Sequence, residues 1–259
     1  MELDGQTAIV TGAGRGIGRA IALELAALGA NVVVAELNEA TAAVVAAEVE
    51  QLGRQTLALG VDVTRADDRQ AMVDRTLGAF GRVDILVNNA GIYRSAPPLE
   101  ITEEHWDSVL GVNARAVLFC SQAVLPTMLA ARRGSIISLA SMAGKIASPT
   151  GLPYAVSKAA VISMTRSLAA AYAGEGIRVN CVCPGFVDTD MWAQIDREVG
   201  VARMGKQPGQ YSQERAATVP IGRMAQPEDV ARVVGFLATG KASYMTGQAV
   251  NVTGGLVMY

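Results

Sequence analysis

The chain has 259 residues, 51 % hydrophobic and 18 % charged, with a formal net charge of −2. That composition can fill a large core, which excludes a disordered segment, and without a basic block it excludes an electrostatic claim on nucleic acid or on an anionic membrane. Three cysteines without a CxxC and a single histidine, His105, argue against a disulfide scaffold and a catalytic zinc site.

The sparse cysteines point to a reducing compartment. The opening MELDGQTAIVTGAG lacks a basic segment followed by an apolar run, and no stretch reads as apolar enough to cross a bilayer. The expected location is therefore cytoplasmic. A Ser-His-Asp hydrolase would need His105 and a GxSxG elbow, and the elbow does not occur.

Short apolar, β-branched runs alternate with longer helical patterns. A strand over 7–11 leads into a helix over 16–28, a strand over 31–35 into a helix over 38–52, and a strand over 56–61 into a helix over 66–80. Strands over 84–88 and 135–140 lead into long helices over 102–131 and 154–173. A strand over 177–182 precedes an irregular stretch, roughly 188–226, then a helix over 227–238 and a last strand over 249–252. The strands are apolar almost throughout, as in a parallel sheet buried on both faces. The fold class is therefore α/β, a doubly wound sheet in one domain over 1–259. The polar stretch 188–226 is a candidate substrate lid or a surface excursion.

The first strand runs into Thr11-Gly12-Ala13-Gly14-Arg15-Gly16-Ile17-Gly18 and then a helix. Glycines there let backbone N–H groups approach a pyrophosphate at a helix N-terminus, so Gly12, Arg15, Gly16, Ile17 and Gly18 are candidate cofactor residues. Glu36 ends the second strand, where a carboxylate accepts from ribose hydroxyls and repels a 2′-phosphate. It favours NAD, with NADP the lesser expectation; Arg15 pulls toward NADP, since a guanidinium pairs with phosphate. Asp62 and Val63 end the third strand, and Asn89, Ala90 and Gly91 follow the fourth, at the sheet edge where α/β folds bind ligands. In YAVSK, Tyr154 and Lys158 stand four apart and share a helix face, either as a surface pair or as a phenol beside a cation.

In order and spacing, TGAGRGIG, DV, NNAG, Asn113, Ser141, YAVSK and PGFVDT resemble the short-chain dehydrogenase/reductase family over essentially the whole chain. The resemblance implies a Rossmann-like sheet of about seven parallel strands, a nicotinamide cofactor, hydride transfer and a homotetramer. It implies that Tyr154 is the acid/base, that Lys158 holds the nicotinamide ribose and lowers the Tyr154 pKa, and that Ser141 hydrogen-bonds the reacting oxygen. Asn113 would hold a water linking Lys158 to solvent, Asn89 would line the cofactor path with Pro184 and Gly185, and Val187 and Thr189 would contact the carboxamide. Three positions depart from the common pattern: Ala140 for a serine, Thr253 for an aspartate at subunit contacts, and Arg15 beside an NAD-type Glu36.

The expected substrate pocket draws on Ser141, Ala143, Tyr93, Tyr154, Leu152, Gly185, Met191 and Trp192, although Trp192 alternatively anchors the lid. DTDMWAQID and the YMTGQAVNVTGG ending resemble the sorbitol/galactitol and acetoin/butanediol dehydrogenases, which implies a small polyol or vicinal diol. The rival is a 3-oxoacyl-carrier reductase, with Arg132 and Arg133 either docking an acidic carrier or lying as a solvated pair. A non-catalytic NAD-sensing protein is the alternative of another class. The helices over 102–131 and 154–173 carry more Ala, Val, Leu and Met than one sheet face covers, so they are the expected subunit contacts.

Overall fold

In the computed structural model, which describes residues 1–259, seven strands run parallel: β1 (Thr7–Thr11), β2 (Asn31–Glu36), β3 (Thr56–Gly60), β4 (Ile85–Asn88), β5 (Gly134–Leu139), β6 (Ile177–Pro184) and β7 (Ala249–Val252). Their order is β3-β2-β1-β4-β5-β6-β7. The chain starts in the middle, winds outward through β2 and β3, then returns beside β1 with β4. The reversal between β1 and β4 opens a crevice beyond their C-terminal ends, and that is where ligands enter such sheets.

Nine α-helices cover the sheet: α1 (Gly16–Ala27), α2 (Glu39–Gln51), α3 (Ala66–Phe80), α4 (Glu103–Leu110), α5 (Ala116–Ala131), α6 (Leu152–Tyr172), α7 (Asp190–Ile195), α8 (Gln210–Ala217) and α9 (Pro227–Ala238). Alternate residues of each strand feed opposite cores. Ala8 and Val10 of β1 pack with α1, α2 and α9, through residues such as Ile21, Val45 and Val234. Ile9 packs on the other face with Met72 of α3 and Val124 and Met128 of α5. Two-sided burial is why the strands read as continuous apolar runs.

Three expectations change. The helix over 102–131 is one rod interrupted by a π-helical turn at Gly111–Arg115, which separates α4 from α5. Its residues Glu103–Ala131 are, by length and composition, apolar enough to cross a bilayer, which overturns the expectation that no stretch is. Half of its most apolar window is buried within the fold, and α5 packs on α3, β4 and β5. The stretch 188–226 is not an irregular loop either. It folds into α7, a π-helical segment Asp196–Val201 and α8, and Val187 bridges to Ala225 at its base.

Candidate active site

β1 ends in a turn that only small residues permit. Gly12 has φ +63°, and a methyl group on Gly18 would stand 2.0 Å from the Gly12 carbonyl oxygen. Asn89 completes the turn from the far side: its Nδ2 donates to the carbonyls of Thr11 at 3.0 Å and Gly12 at 2.8 Å. The Thr11 hydroxyl accepts from the Asn89 and Ala90 amides. Asn89 therefore ties the end of β4 to the glycine turn, a role that its position after a strand did not disclose.

Glu36 closes β2 with its carboxylate held by two backbone amides, Gly14 at 3.0 Å and Leu37 at 2.8 Å. Asp62 accepts from the Thr64 amide and hydroxyl, which holds its carboxyl below the usual carboxylate range. Arg15 extends into solvent and pairs with Asp190 of α7 at 3.2 Å, both side chains being largely exposed.

A single cavity of about 860 Å³ runs along this edge. Gly12, Arg15, Gly16, Ile17, Gly18, Glu36, Asp62, Val63, Asn89, Ala90, Gly91, Pro184, Gly185, Val187 and Thr189 all line it, as do Ser141, Tyr154 and Lys158. Of the expected substrate residues, Tyr93, Ala143, Met191 and Trp192 line it too. Leu152 does not, which corrects that expectation: it is the first residue of α6, and its side chain turns toward solvent.

The reacting end is built by α6, β5 and the loop after β4. Ser141 follows β5 and caps a short 3₁₀ turn, its hydroxyl accepting from the Ala143 amide at 3.1 Å. The same side chain acts on the Tyr154 phenol and favours its ionisation. Tyr93 meets the Tyr154 ring edge-on, with centroids 5.3 Å apart. Burial pushes Tyr154 up to about 12, partly offset by Ser141. Lys158 is buried, donates to the Leu139 carbonyl at 2.6 Å, and is pushed down to about 8 by burial. The lysine alone therefore does not lower the tyrosine, which corrects the expected effect of a cation at i+4. Desolvation penalises both charged forms, and the ammonium is held 5.5 Å from the ring centre without bonding the phenol.

Asn113 sits in the π-helical turn, fully buried, and does not line the cavity. Its Oδ1 accepts from the Ile92 amide at 2.8 Å, and its Nδ2 donates to the Ile92 carbonyl at 2.9 Å and to Ser157 Oγ at 3.2 Å. It clamps the loop after β4 onto α6 at the residue next to Lys158. The extra residue of the π turn is what aims a helix side chain sideways in this manner.

The candidate lid is anchored by Trp192. Its Nε1 donates to Ser212 at 2.9 Å, and its ring packs on Phe186 at 4.8 Å and stacks on Tyr211 at 6.1 Å. Thr253 is buried, and its hydroxyl bonds the Val257 amide and carbonyl, closing the C-terminal turn. Arg132 pairs with Glu175 at 2.9 Å and Arg133 with Asp84 at 3.0 Å, so the two are locally neutralised.

The residues present fit a dinucleotide. The glycine turn leaves room for a pyrophosphate where side chains would block it; Glu36 and Asp62 would take the adenosine end, and Tyr154 and Lys158 the nicotinamide end. The site missed in the sequence was the outer wall: Arg94, Phe186, Arg197, Tyr211 and Arg215 line the cavity too. Only Tyr211 and Arg215, four apart in a helical stretch, left a pattern to find.

A protein-family model described as enoyl-(acyl-carrier-protein) reductase matches residues 12–257. The chain is 37 % identical over 258 residues to a 3-oxoacyl-[acyl-carrier-protein] reductase of Thermotoga maritima, covering 100 % of both chains. It is 40 % identical over 255 residues to the enzyme of that name from Staphylococcus aureus, covering 98 % of each. A crystal structure of a short-chain type dehydrogenase/reductase from Mycobacterium marinum superposes with a TM-score of 0.90 at 33 % identity, covering 100 % of this chain and 98 % of that one. The expected closeness to polyol and diol dehydrogenases finds no support among these relatives, which carry the name of the rival reading.

Proposed function

The chain belongs to the short-chain dehydrogenase/reductase family, and from that premise we propose that it is an NAD(H)-dependent enzyme reducing the ketone of a 3-oxoacyl compound to a secondary alcohol, and reversing that reaction. The observation that carries it is the meeting of Ser141, Tyr154 and Lys158 at the inner end of a cofactor-sized cavity.

The nicotinamide cofactor, when bound, supplies or accepts the hydride. Tyr154 holds the proton: a phenol with a raised pKa stays protonated at neutral pH and is ready to donate to a carbonyl oxygen. Ser141 donates to the same oxygen and offsets its developing charge. Lys158, tethered to Leu139, would hold the ribose together with Tyr154. Asn113 keeps α6 in register with the loop that carries Asn89 and Tyr93. Glu36 supports NADH over NADPH, because a carboxylate fixed at the end of β2 would repel a 2′-phosphate bound there, and Arg15 is engaged with Asp190.

The second reading, oxidation of a free polyol or vicinal diol, has one observation in its favour. Arg132, the candidate contact for a carrier protein, is occupied by Glu175 and by the Gly174 carbonyl. We also propose a homotetramer through α4, α5 and α6, whose outer faces expose Trp106, Leu118 and Val156; a monomer in sedimentation at micromolar concentration would refute it.

Absorbance at the NADH band separates the readings. Acetoacetyl thioesters are expected to turn over with NADH. Turnover confined to sorbitol or 2,3-butanediol would replace the first reading by the second. Tight NADH binding without turnover of any of them would make the protein a sensor.

A further inference from the structure

Three of the arginines that line the cavity have no ion-pair partner. Of its lining residues, the acids are Glu36 and Asp62 at the adenosine end and Asp190, which pairs with Arg15. Arg94, Arg197 and Arg215 line the same cavity. None of these three guanidiniums forms an ion pair or a side-chain hydrogen bond.

Their neighbours differ. In the same segment Arg203 pairs with Glu100, Lys206 with Glu214, and Arg223 with Asp229, and none of these bases lines the cavity. The acids nearest the three arginines are already engaged. Asp196 accepts from the Gly209 and Ser212 amides and the Ser212 hydroxyl, Glu214 is taken by Lys206 and Gln210, and Glu198 accepts from Gln194. Arg215 is steered instead by the Tyr211 ring, 4.8 Å below it, and that ring stacks on Trp192, the lid anchor. Arg94 follows Tyr93, which packs against the acid/base Tyr154. Among the arginines that line the cavity, Arg15 alone has an anionic partner, and Arg94, Arg197 and Arg215 have none.

We propose that Arg94, Arg197 and Arg215 form a subsite for an anionic group, a carboxylate or a phosphate, on the part of the substrate remote from the reacting carbon. This rests on the proposed 3-oxoacyl reduction for its choice of substrate, and it names the handle by which such a substrate is held: its own charge, in place of a carrier docked on Arg132. A guanidinium bonded to an anion contributes roughly ten-fold or more in affinity.

The test compares three ketones with NADH: acetoacetate, whose anion is a carboxylate; acetoacetyl-coenzyme A, whose anions are phosphates; and the uncharged thioester acetoacetyl-N-acetylcysteamine. At least one charged ketone is expected to exceed the uncharged one roughly ten-fold in kcat/KM, and which one identifies the anion. In Arg94→Gln, Arg197→Gln and Arg215→Gln combined, that ratio is expected to collapse toward one, chiefly through KM. Equal use of charged and uncharged ketones, or a ratio that survives the triple substitution, overturns the subsite. If no ketone turns over, the functional reading has failed and the subsite is read separately, by calorimetric titration of the NADH-loaded protein with acetoacetate and with coenzyme A. Salt-sensitive binding to the wild type, lost in the triple variant, then supports it, and no binding to either probe overturns it.

Discussion

Lys158 lies 5.5 Å from the centre of the Tyr154 ring, yet its 2.6 Å hydrogen bond goes to the Leu139 carbonyl and not to the phenol. Lys158 is buried and Tyr154 half-buried beside it, and desolvation shifts each toward its neutral form. This has a consequence for stability. Lys158 is pushed down to about 8 in the fold, so between about pH 8 and its ordinary value near 10.5 the unfolded chain binds the extra proton. Stability therefore rises with pH across that window, by about 3 kcal/mol in order of magnitude. Thermal unfolding of the cofactor-free protein is expected to show the rise, and Lys158→Met to lack it while being the more stable protein at pH 7. A variant with the same pH slope as the wild type would contradict the burial of a charged lysine.

Tyr154 supplies the proton in the proposed reaction. Tyr154→Phe keeps the ring and its packing on Tyr93 but has nothing to donate, and turnover is expected to fall at least ~100-fold in both directions. In the wild type, oxidation is expected to accelerate with rising pH, because it needs the phenolate, while reduction needs the phenol and does not. Initial rates at the NADH band between pH 6 and 10 check both; near-normal turnover of the variant would remove Tyr154 from the chemistry.

Asn113 uses both amide hydrogens and its oxygen on Ile92 and Ser157. Asn113→Ala strands the part-buried Ile92 amide and carbonyl, and an orphaned buried group costs about 1–3 kcal/mol. Urea unfolding is expected to show a loss of at least ~2 kcal/mol, together with weaker activity, since the clamp sets Lys158 through its neighbour Ser157. An unchanged midpoint would mean that the π-helical turn holds the loop without the asparagine.

The glycine turn tolerates no side chain at Gly18, because a Cβ there would stand 2.0 Å from the Gly12 oxygen and 2.5 Å from the Asn89 amide nitrogen. Gly18→Ala must push the turn open and break the Asn89 staple, an overpacking cost of about 1–3 kcal/mol. NADH affinity by fluorescence titration is expected to fall at least ~10-fold. Wild-type affinity would show that the turn flexes more than its contacts imply.

Much of the molecule was legible in the sequence because parallel strands announce themselves. Ile9 and Val10 face opposite cores, so β1 shows no alternation, and each strand end then locates a site residue: Glu36 after β2, Asn89 after β4, Ser141 after β5. What stayed hidden depended on direction rather than position. The spacing of Tyr154 and Lys158 gave a shared face but not the turn of the ammonium toward Leu139, and burial, not charge, decides both pKa shifts. Leu152 was close in sequence to the site yet begins α6 facing solvent. Arg94, Arg197 and Arg215 come from three separate segments that only the folded lid brings to one cavity. The substrate resemblance rested on DTDMWAQID at the start of that stretch and on the YMTGQAVNVTGG ending, and the relatives do not support it.

In the proposed reading, coenzyme choice turns on one carboxylate. Glu36 is half-buried and pinned by the Gly14 and Leu37 amides, so it cannot swing away from an incoming phosphate as a free surface residue would. Two unit charges of like sign ~4 Å apart repel by about 4 kcal/mol at an effective dielectric near 20, and even a quarter of that is several-fold in affinity. Arg15, the one base near the turn, already faces Asp190, although such an exposed pair is weak and open to competition. Glu36→Gln keeps the size of the side chain and one acceptor while removing the charge. The ratio of kcat/KM for NADH over NADPH is expected to be well above one in the wild type and to drop at least ~10-fold in the variant. Adding Asp190→Ala frees Arg15 and is expected to lower the ratio further, through KM for NADPH. A wild type that prefers NADPH, or a ratio indifferent to Glu36, would give the decision to Arg15 instead.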